Sequence, residues 1–462
     1  MPGVPSGRGC EACRRQKKKC DQTKPTCSRC SRLNIPCIGS GQRRFKFKDQ
    51  MVVWRDSSAR RTTTTTPSSS PPTPPSTNRW AIDVPRSPHN SITTATTAMA
   101  TLLDMSDVRY EVIYYGEFLK DLPRRLGSNA VLDASVVAFT HGYSAIHTHR
   151  PSAEALGSYV HALKTLRFAL EDPVKTRTAE TLCGIYLIMI CQSWLGKQDD
   201  NYVSHGEAMA HLLSMAVTQN WQGGFIKEML LTFSVPVLLE STFNPRIKIY
   251  PWFSIICERY FPPQPTKASP FPSLMLRNLA SMPQFIRSPE QHVFEIEATY
   301  TAMRADMPRL RSLLTETSLA LFPTPDADPG IVAMRKLTRY QAAYGILMAL
   351  GIMLNRILSE FDPDDATLAA DGAYIFDEMM ILAVEAARHR PLGSAYMPLC
   401  LASAWSATTD ETKKAQALAI LMEYQKDFSE ANWLAGGVWL ARKFDGLRRK
   451  LGTERVDGKV GV

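Results

Sequence analysis

From about residue 99 onward, apolar residues recur at spacings of three and four. Val108, Val112, Phe118, Leu119 and Leu122 form one such run, and Tyr159, Leu163, Leu166 and Leu170 another, with Ser152 placed to cap its start. Further helical runs fall near 130–145, 178–195, 202–217, 224–240, 290–321, 329–360, 366–388, 410–432 and 433–450. Prolines punctuate them at 245, 262, 263, 270, 283, 323, 329, 363 and 391. Alternating strand patterns are scarce and no repeat of 20 to 50 residues is evident. The pattern predicts one large all-α domain over 99–462, least secure in the Pro-rich stretch 245–290.

The first 98 residues follow no such period. Every residue from Thr62 to Thr77 is Thr, Ser or Pro, and that composition thins out only near Thr97. A segment with so little to bury cannot repay the entropy of ordering, so 49–98 is expected to be a disordered linker, open to phosphorylation. It carries no sustained apolar heptads, which argues against a coiled coil there. No secretory signal is read at the N-terminus, and the longest apolar runs, Ala342–Leu354 and Leu182–Cys191, are shorter than the roughly 20 residues a bilayer requires.

Charge changes the picture at the N-terminus. The net charge is +10, yet residues 1–48 hold thirteen Lys and Arg against only Glu11 and Asp21, which leaves the rest of the chain near neutral. A basic field so localised points to a polyanion, most often nucleic acid. The same 48 residues contain Cys10, Cys13, Cys20, Cys27, Cys30 and Cys37, and the second trio repeats the first at a constant offset of 17. Twenty-eight residues cannot bury a hydrophobic core, so a metal must supply the folding energy. Two tetrahedral zinc ions need eight ligand positions. Six thiolates supply them only if two bridge, and symmetry limits the bridging pair to Cys10 with Cys27, Cys13 with Cys30, or Cys20 with Cys37. A one-zinc ribbon would leave Cys20 and Cys37 idle at matching offsets, an iron–sulfur site has no reason for this symmetry beside a basic run, and a disulfide framework suits a secreted chain. Short helices are expected over 11–18 and 28–33, with Pro25 turning the loop between the half-sites. The run Arg14-Arg15-Gln16-Lys17-Lys18-Lys19 offsets the anionic cluster and leaves positive charge for phosphates. A nuclear localisation signal or a solvated face is the plainer account of that run. Cys183, Cys191, Cys257 and Cys400 show no ligand spacing and read as core thiols.

These residues resemble the fungal six-cysteine binuclear zinc-cluster transcription factors. The likeness covers Cys10–Cys37 and includes Cys13-Arg-Arg-Gln-Lys-Lys-Lys-Cys20, Asp21, Pro25 and Cys27-Ser-Arg-Cys30. The resemblance implies two zinc ions per chain held by the six cysteines, with Cys10 and Cys27 bridging, and a first helix that enters the major groove of double-stranded DNA. It places Lys17 at the position that commonly reads a CGG-type triplet, with Arg14, Arg15, Lys18 and Lys19 on phosphates or shielding the cluster. Gln16 departs from the Arg or Lys usual there, which leaves one contact in question.

The helical region resembles, more loosely, the regulatory domain of the same factors, through His161–Leu170, Thr181–Ile190, Trp194 and His205-Gly206. That implies contact with the transcription machinery or coactivators, and an activator in the nucleus, serving a metabolic or secondary-metabolite gene set. It acts as a monomer, or as a homodimer through the helical domain. Glu360-Phe-Asp-Pro-Asp-Asp365 mixes acidic and apolar residues as activation segments do, although a helix-connecting loop is the plainer reading. No catalytic fingerprint appears: His147-Thr-His149 lacks metal-pair spacing, and G-x-S-x-G, P-loop and dinucleotide motifs are missing. His205 and the Tyr340–Leu354 stripe read as core. The expectation is therefore a mainly α, non-enzymatic transcription regulator: a zinc-cluster DNA-binding module over 1–48, a linker over 49–98 and an all-α regulatory domain over 99–462. The alternative is an enzyme or RNA-binding protein that carries a zinc module.

Overall fold

The computed structural model describes residues 9–16, 18–37, 90–195, 205–260, 271–322, 330–428 and 432–457, and the chain divides into two compact units, 1–83 and 84–462. Among the described residues the elements are helices and turns, with no strand. The first unit contributes two five-residue helices, α1 (Glu11–Arg15) and α2 (Ser28–Arg32), packed around the cysteines. Both end earlier than the sequence suggests. Residues 38–48, and residues 49–89 of the expected linker, lie outside the described residues.

The second unit is built on two apolar cores. The first gathers α3 (Ser91–Leu103), α4 (Ala130–Gly142), α5 (Ser144–Thr148), α6 (Ala153–Leu170), α8 (Ala179–Leu195), α9 (His205–Thr218), α10 (Gly224–Phe243) and α11 (Trp252–Tyr260), while the single turn α7 (Pro173–Thr176) links α6 to α8 at the surface. Its centre is Phe118, Phe139 and Phe233, each fully buried. Helix α8 comes close to α4 because Gly184 faces Val131, where an added Cβ would lie 2.7 Å from a Val131 methyl. Ser152 caps α6 by accepting from the Ala155 amide at 3.1 Å, as its place in the sequence suggests.

The second core is lined by α13 (Met282–Arg287), which follows the single turn α12 (Leu276–Leu279), and by α14 (Val293–Leu321), α15 (Ile331–Phe361), α16 (Ala366–Ala386), α17 (Met397–Ala407), α18 (Glu411–Gln425) and α19 (Trp433–Asp457). Helix α15 is its axis. By length and composition α15 could cross a membrane, which corrects the expectation that no apolar stretch is long enough. In the fold, 72% of its most apolar 18-residue stretch is buried inside the protein, as befits a core helix. Two of its buried polar side chains are paired: Gln341 with His389 Nδ1 at 2.9 Å, and Asn355 donating to Tyr300 Oη at 3.0 Å. The two cores also hold each other, through Tyr114 and Thr338 hydroxyls 2.7 Å apart and Arg339 paired with Glu117 at 2.6 Å. The Leu392 amide donates to the Arg109 carbonyl at 2.9 Å, and the Leu392 side chain lies in the first core.

Three departures from the sequence pattern have physical causes. Helix α3 begins at Ser91, ahead of residue 99, inside the stretch whose Thr-rich composition suggests linker. The Asn90 side chain accepts from the Thr93 amide at 2.6 Å, Thr hydroxyls bond back to carbonyls four residues earlier, and Met99 is fully buried. The apolar run through Phe118 and Leu122 forms 3-10 helices over Val112–Tyr115 and Glu117–Arg124, not an α-helix. Gly116 breaks it at φ 135°, in a place where a Cβ would meet the Phe118 ring at 2.6 Å. Helix α17 has small and apolar residues on all sides and so lacks a period to detect, while the Pro-rich stretch 245–290 still yields α11 to α13. The acidic segment before α16 is a helix-connecting loop, with Asp365 capping α16 through the Thr367 amide at 2.7 Å.

Candidate metal centre and nucleic-acid interface

The offset of 17 in the cysteine positions becomes a symmetry of the backbone. The Cys10 amide donates to the Cys20 sulfur at 3.4 Å, and the Cys27 amide to the Cys37 sulfur at 3.3 Å. The Lys18 amide bonds the Cys13 carbonyl at 2.8 Å, and Ile35 repeats this on Cys30 at 3.1 Å. Helices α1 and α2 start one residue after Cys10 and Cys27. Each half is thus a turn of helix and a return strand of chain that bring three sulfurs inward.

The sulfurs fall into two groups of four, Cys10, Cys13, Cys20, Cys27 and Cys10, Cys27, Cys30, Cys37, each lying within 4.8 Å of one another. Cys10 and Cys27 belong to both. The separations Cys10–Cys27 and Cys13–Cys27 are 3.8 Å and Cys10–Cys30 is 3.5 Å. A tetrahedron of thiolates about 2.3 Å from zinc has sulfur–sulfur edges of about 3.8 Å, so the donor set fits the metal in kind and in spacing. Cys10, Cys13, Cys27 and Cys30 are wholly sealed from water and Cys20 nearly so. Burial first, then the Cys10 sulfur, pushes the Cys13 thiol up to about 12, and burial pushes Cys30 up as well. The Cys30 amide, donating to the Cys27 sulfur at 3.4 Å, instead holds Cys27 below the usual thiol range. Six such thiols need cations to be thiolates together.

Two contacts tie the halves and were not foreseen from sequence. Asp21 accepts from the Ser28 amide at 3.1 Å, from the Ser28 hydroxyl and from the Thr23 hydroxyl at 3.0 Å, so the loop after Cys20 is fastened to the start of α2. The Ser28 hydroxyl, then its amide, holds the Asp21 carboxyl below the usual carboxylate range. Arg29 on α2 donates one nitrogen toward the Cys13 sulfur at 3.8 Å and another to the Gln16 side-chain carbonyl. Gln16, the departure from the family pattern, thus clasps Arg29 against the sulfur cluster. Its only signal in sequence is that departure. Pro25 lies in the loop between halves, in a cis peptide with Lys24.

Of the predicted DNA-contacting residues, Arg15, Lys18 and Lys19 are exposed on or just after α1. Arg14 belongs to α1, but its side chain lies outside the described residues, as does all of Lys17. Elsewhere, Cys183, Cys191 and Cys400 are buried core thiols and Cys257 is half-buried. The histidines of interest diverge: His141 bonds Ser158 at 2.8 Å, His147 stacks on Tyr110, and His149 closes α5 in the left-handed region. The His205 side chain lies outside the described residues.

Residues 8–46 match the family of the fungal Zn(2)-Cys(6) binuclear cluster domain, so the N-terminus carries a zinc-binding cluster of that class. A stretch of 33 residues is 54% identical to the lysine biosynthesis regulatory protein LYS14 of Saccharomyces cerevisiae. That stretch spans 7% of this chain and 4% of the relative. No solved structure matches the chain.

Proposed function

We propose that the protein is a sequence-specific DNA-binding regulator of RNA polymerase II transcription, with residues 1–48 as its DNA-binding module. The observation that carries this reading is the pair of four-sulfur groups sharing Cys10 and Cys27, in a stretch that matches the binuclear cluster family and holds nearly all the net positive charge. On it, Cys10, Cys13, Cys20, Cys27, Cys30 and Cys37 hold two zinc ions, and Cys10 and Cys27 bridge them. Zinc supplies the positive charge that keeps the thiolates together and the module folded. Helix α1 then lies in the major groove. Lys17 donates to guanine of a CGG-type half-site, and Arg14, Arg15, Lys18 and Lys19 meet phosphates. Since Gln16 is engaged with Arg29, it serves the cluster in place of the DNA.

The relative is named a regulator of lysine biosynthesis, which supports a metabolic gene set as the target class. On the same reading the protein acts in the nucleus as a non-enzymatic activator, and the helical region from α3 onward contacts coactivators or a second copy. Footprinting with the full chain tests the core of the proposal. Salt-sensitive protection of CGG-containing duplex, lost in Lys17→Ala, is expected; equal affinity for random DNA and RNA defeats it. Metal analysis should return two zinc per chain, and one would restore the ribbon.

A further inference from the structure

The helical unit contains a cleft between α13 and α19 that the DNA-binding reading does not use. Its volume is about 450 Å³, within the range of small-molecule sites, which run from roughly 300 to 1,000 Å³. The floor is apolar: Ile357 and Phe444 are buried, and the Trp439 indole stands at the side. The walls are basic. Arg287, Arg442, Lys443 and Lys450 line the cleft against one carboxylate, Glu290, which Lys450 already engages at 2.6 Å.

Arg287 is the unusual member. Its Nε donates to the Thr242 carbonyl at 3.3 Å, yet one terminal nitrogen, Nη2, is enclosed without any hydrogen-bond partner. An unpaired buried guanidinium nitrogen is costly unless an ordered water or a bound group completes it. No carboxylate among the described residues pairs with it, and burial pushes its pKa down from the ordinary value. Arg442 has no ion-pair partner among the described residues either, whereas Lys443 lies over the Trp439 ring at 5.3 Å. Two arginines without anions, above a hydrophobic floor, define a ligand with a charged end and an apolar body.

We propose that this cleft binds an amphiphilic organic anion, its carboxylate or phosphate head on Arg287 and Arg442 and its hydrocarbon body against Ile357, Phe444 and Trp439. Guanidinium groups donate charge-assisted hydrogen bonds to both kinds of head. The test is calorimetric titration of the full-length protein with decanoate, decyl phosphate, decanol and decyltrimethylammonium, each below its micellar concentration. Decanoate, decyl phosphate or both should bind once per chain, and whichever binds tighter identifies the head group. Arg442→Gln, an exposed site, should weaken that binding roughly tenfold, as loss of one charge-assisted hydrogen bond does. Arg287→Gln should do the same, with helical content checked by circular dichroism; if it does not fold, Arg442→Gln alone decides. Decanol binding as tightly as the anions, binding unchanged in the variants that fold, or no saturable binding by either anion overturns the proposal. None of these outcomes depends on DNA binding.

Discussion

Cys10 and Cys13 are as thoroughly sealed from water as Phe139 and Leu347, but what seals them differs in kind. Around Phe139 lie other apolar side chains, and each contributes by leaving water, at about 25 cal/mol per Å². Around Cys13 lie the Cys10 and Cys27 sulfurs, which oppose its ionisation, in a module whose described apolar neighbours are only Ala12, Ile35 and the cysteines themselves. The body holds itself together; the module is a cage that needs its contents. Two regions of one chain therefore respond to different insults, and that gives the comparison its tests.

The largest effect should come from the cage. Cys27→Ser removes a sulfur common to both four-membered groups, so on the proposed two-zinc arrangement both metals should go, whereas Cys37→Ser touches one group. Specific DNA affinity should fall at least about a thousandfold, to the non-specific level, in gel-shift titration, while the circular dichroism of the helical body stays unchanged. A body that melts along with the zinc would erase the distinction. The reciprocal experiment is Phe139→Ala, which should lower stability of the body by about 3–5 kcal/mol in denaturant titration and leave zinc content alone.

Protons offer a third separation. His389 is buried, with Nδ1 on Gln341 and Nε2 unpartnered; burial first, then the Arg388 charge, pushes it down to about 4. Because its folded value lies below its unfolded value of roughly 6.5, the unfolded chain binds the extra proton between pH 6.5 and 4. Stability should thus be complete above pH 6.5 and decline as pH falls to 4, by up to about 3 kcal/mol. Unfolding of chelator-treated protein at pH 7 and pH 5 measures this, and His389→Gln should flatten the slope; an equal slope in the variant assigns the loss to other groups. The smallest expected effect is Arg29→Ala. The module should keep its zinc but lose it to a chelator roughly tenfold more readily, as happens when a group supporting a metal ligand is removed. Unchanged retention would confine Arg29 to holding Gln16.

Legibility in the sequence follows the same division. Metal-ligand spacing is local, so six cysteines at an offset of 17 announce the cage, and periodic apolar residues announce α4, α6, α8, α14 and α15 with ends close to those observed. What was hidden depends on partners far away in sequence. Helix α3 exists because Met99 and Leu102 find a core that its own threonines do not reveal. The Gln16–Arg29 clasp joins residues on opposite halves of the module, and no spacing rule connects them. Arg287 reads as an ordinary basic residue until the fold places it beside a carbonyl with one nitrogen facing nothing.

Leu392 has a genetic consequence. Although it follows α16 in the chain, its side chain completes the first core and its amide is fastened to Arg109. A stop codon anywhere before it removes a piece of the earlier half as well as the later one. Nonsense alleles that stop the chain before Leu392 should therefore leave an unstable product open to degradation, with the first core destabilised as well as the second lost.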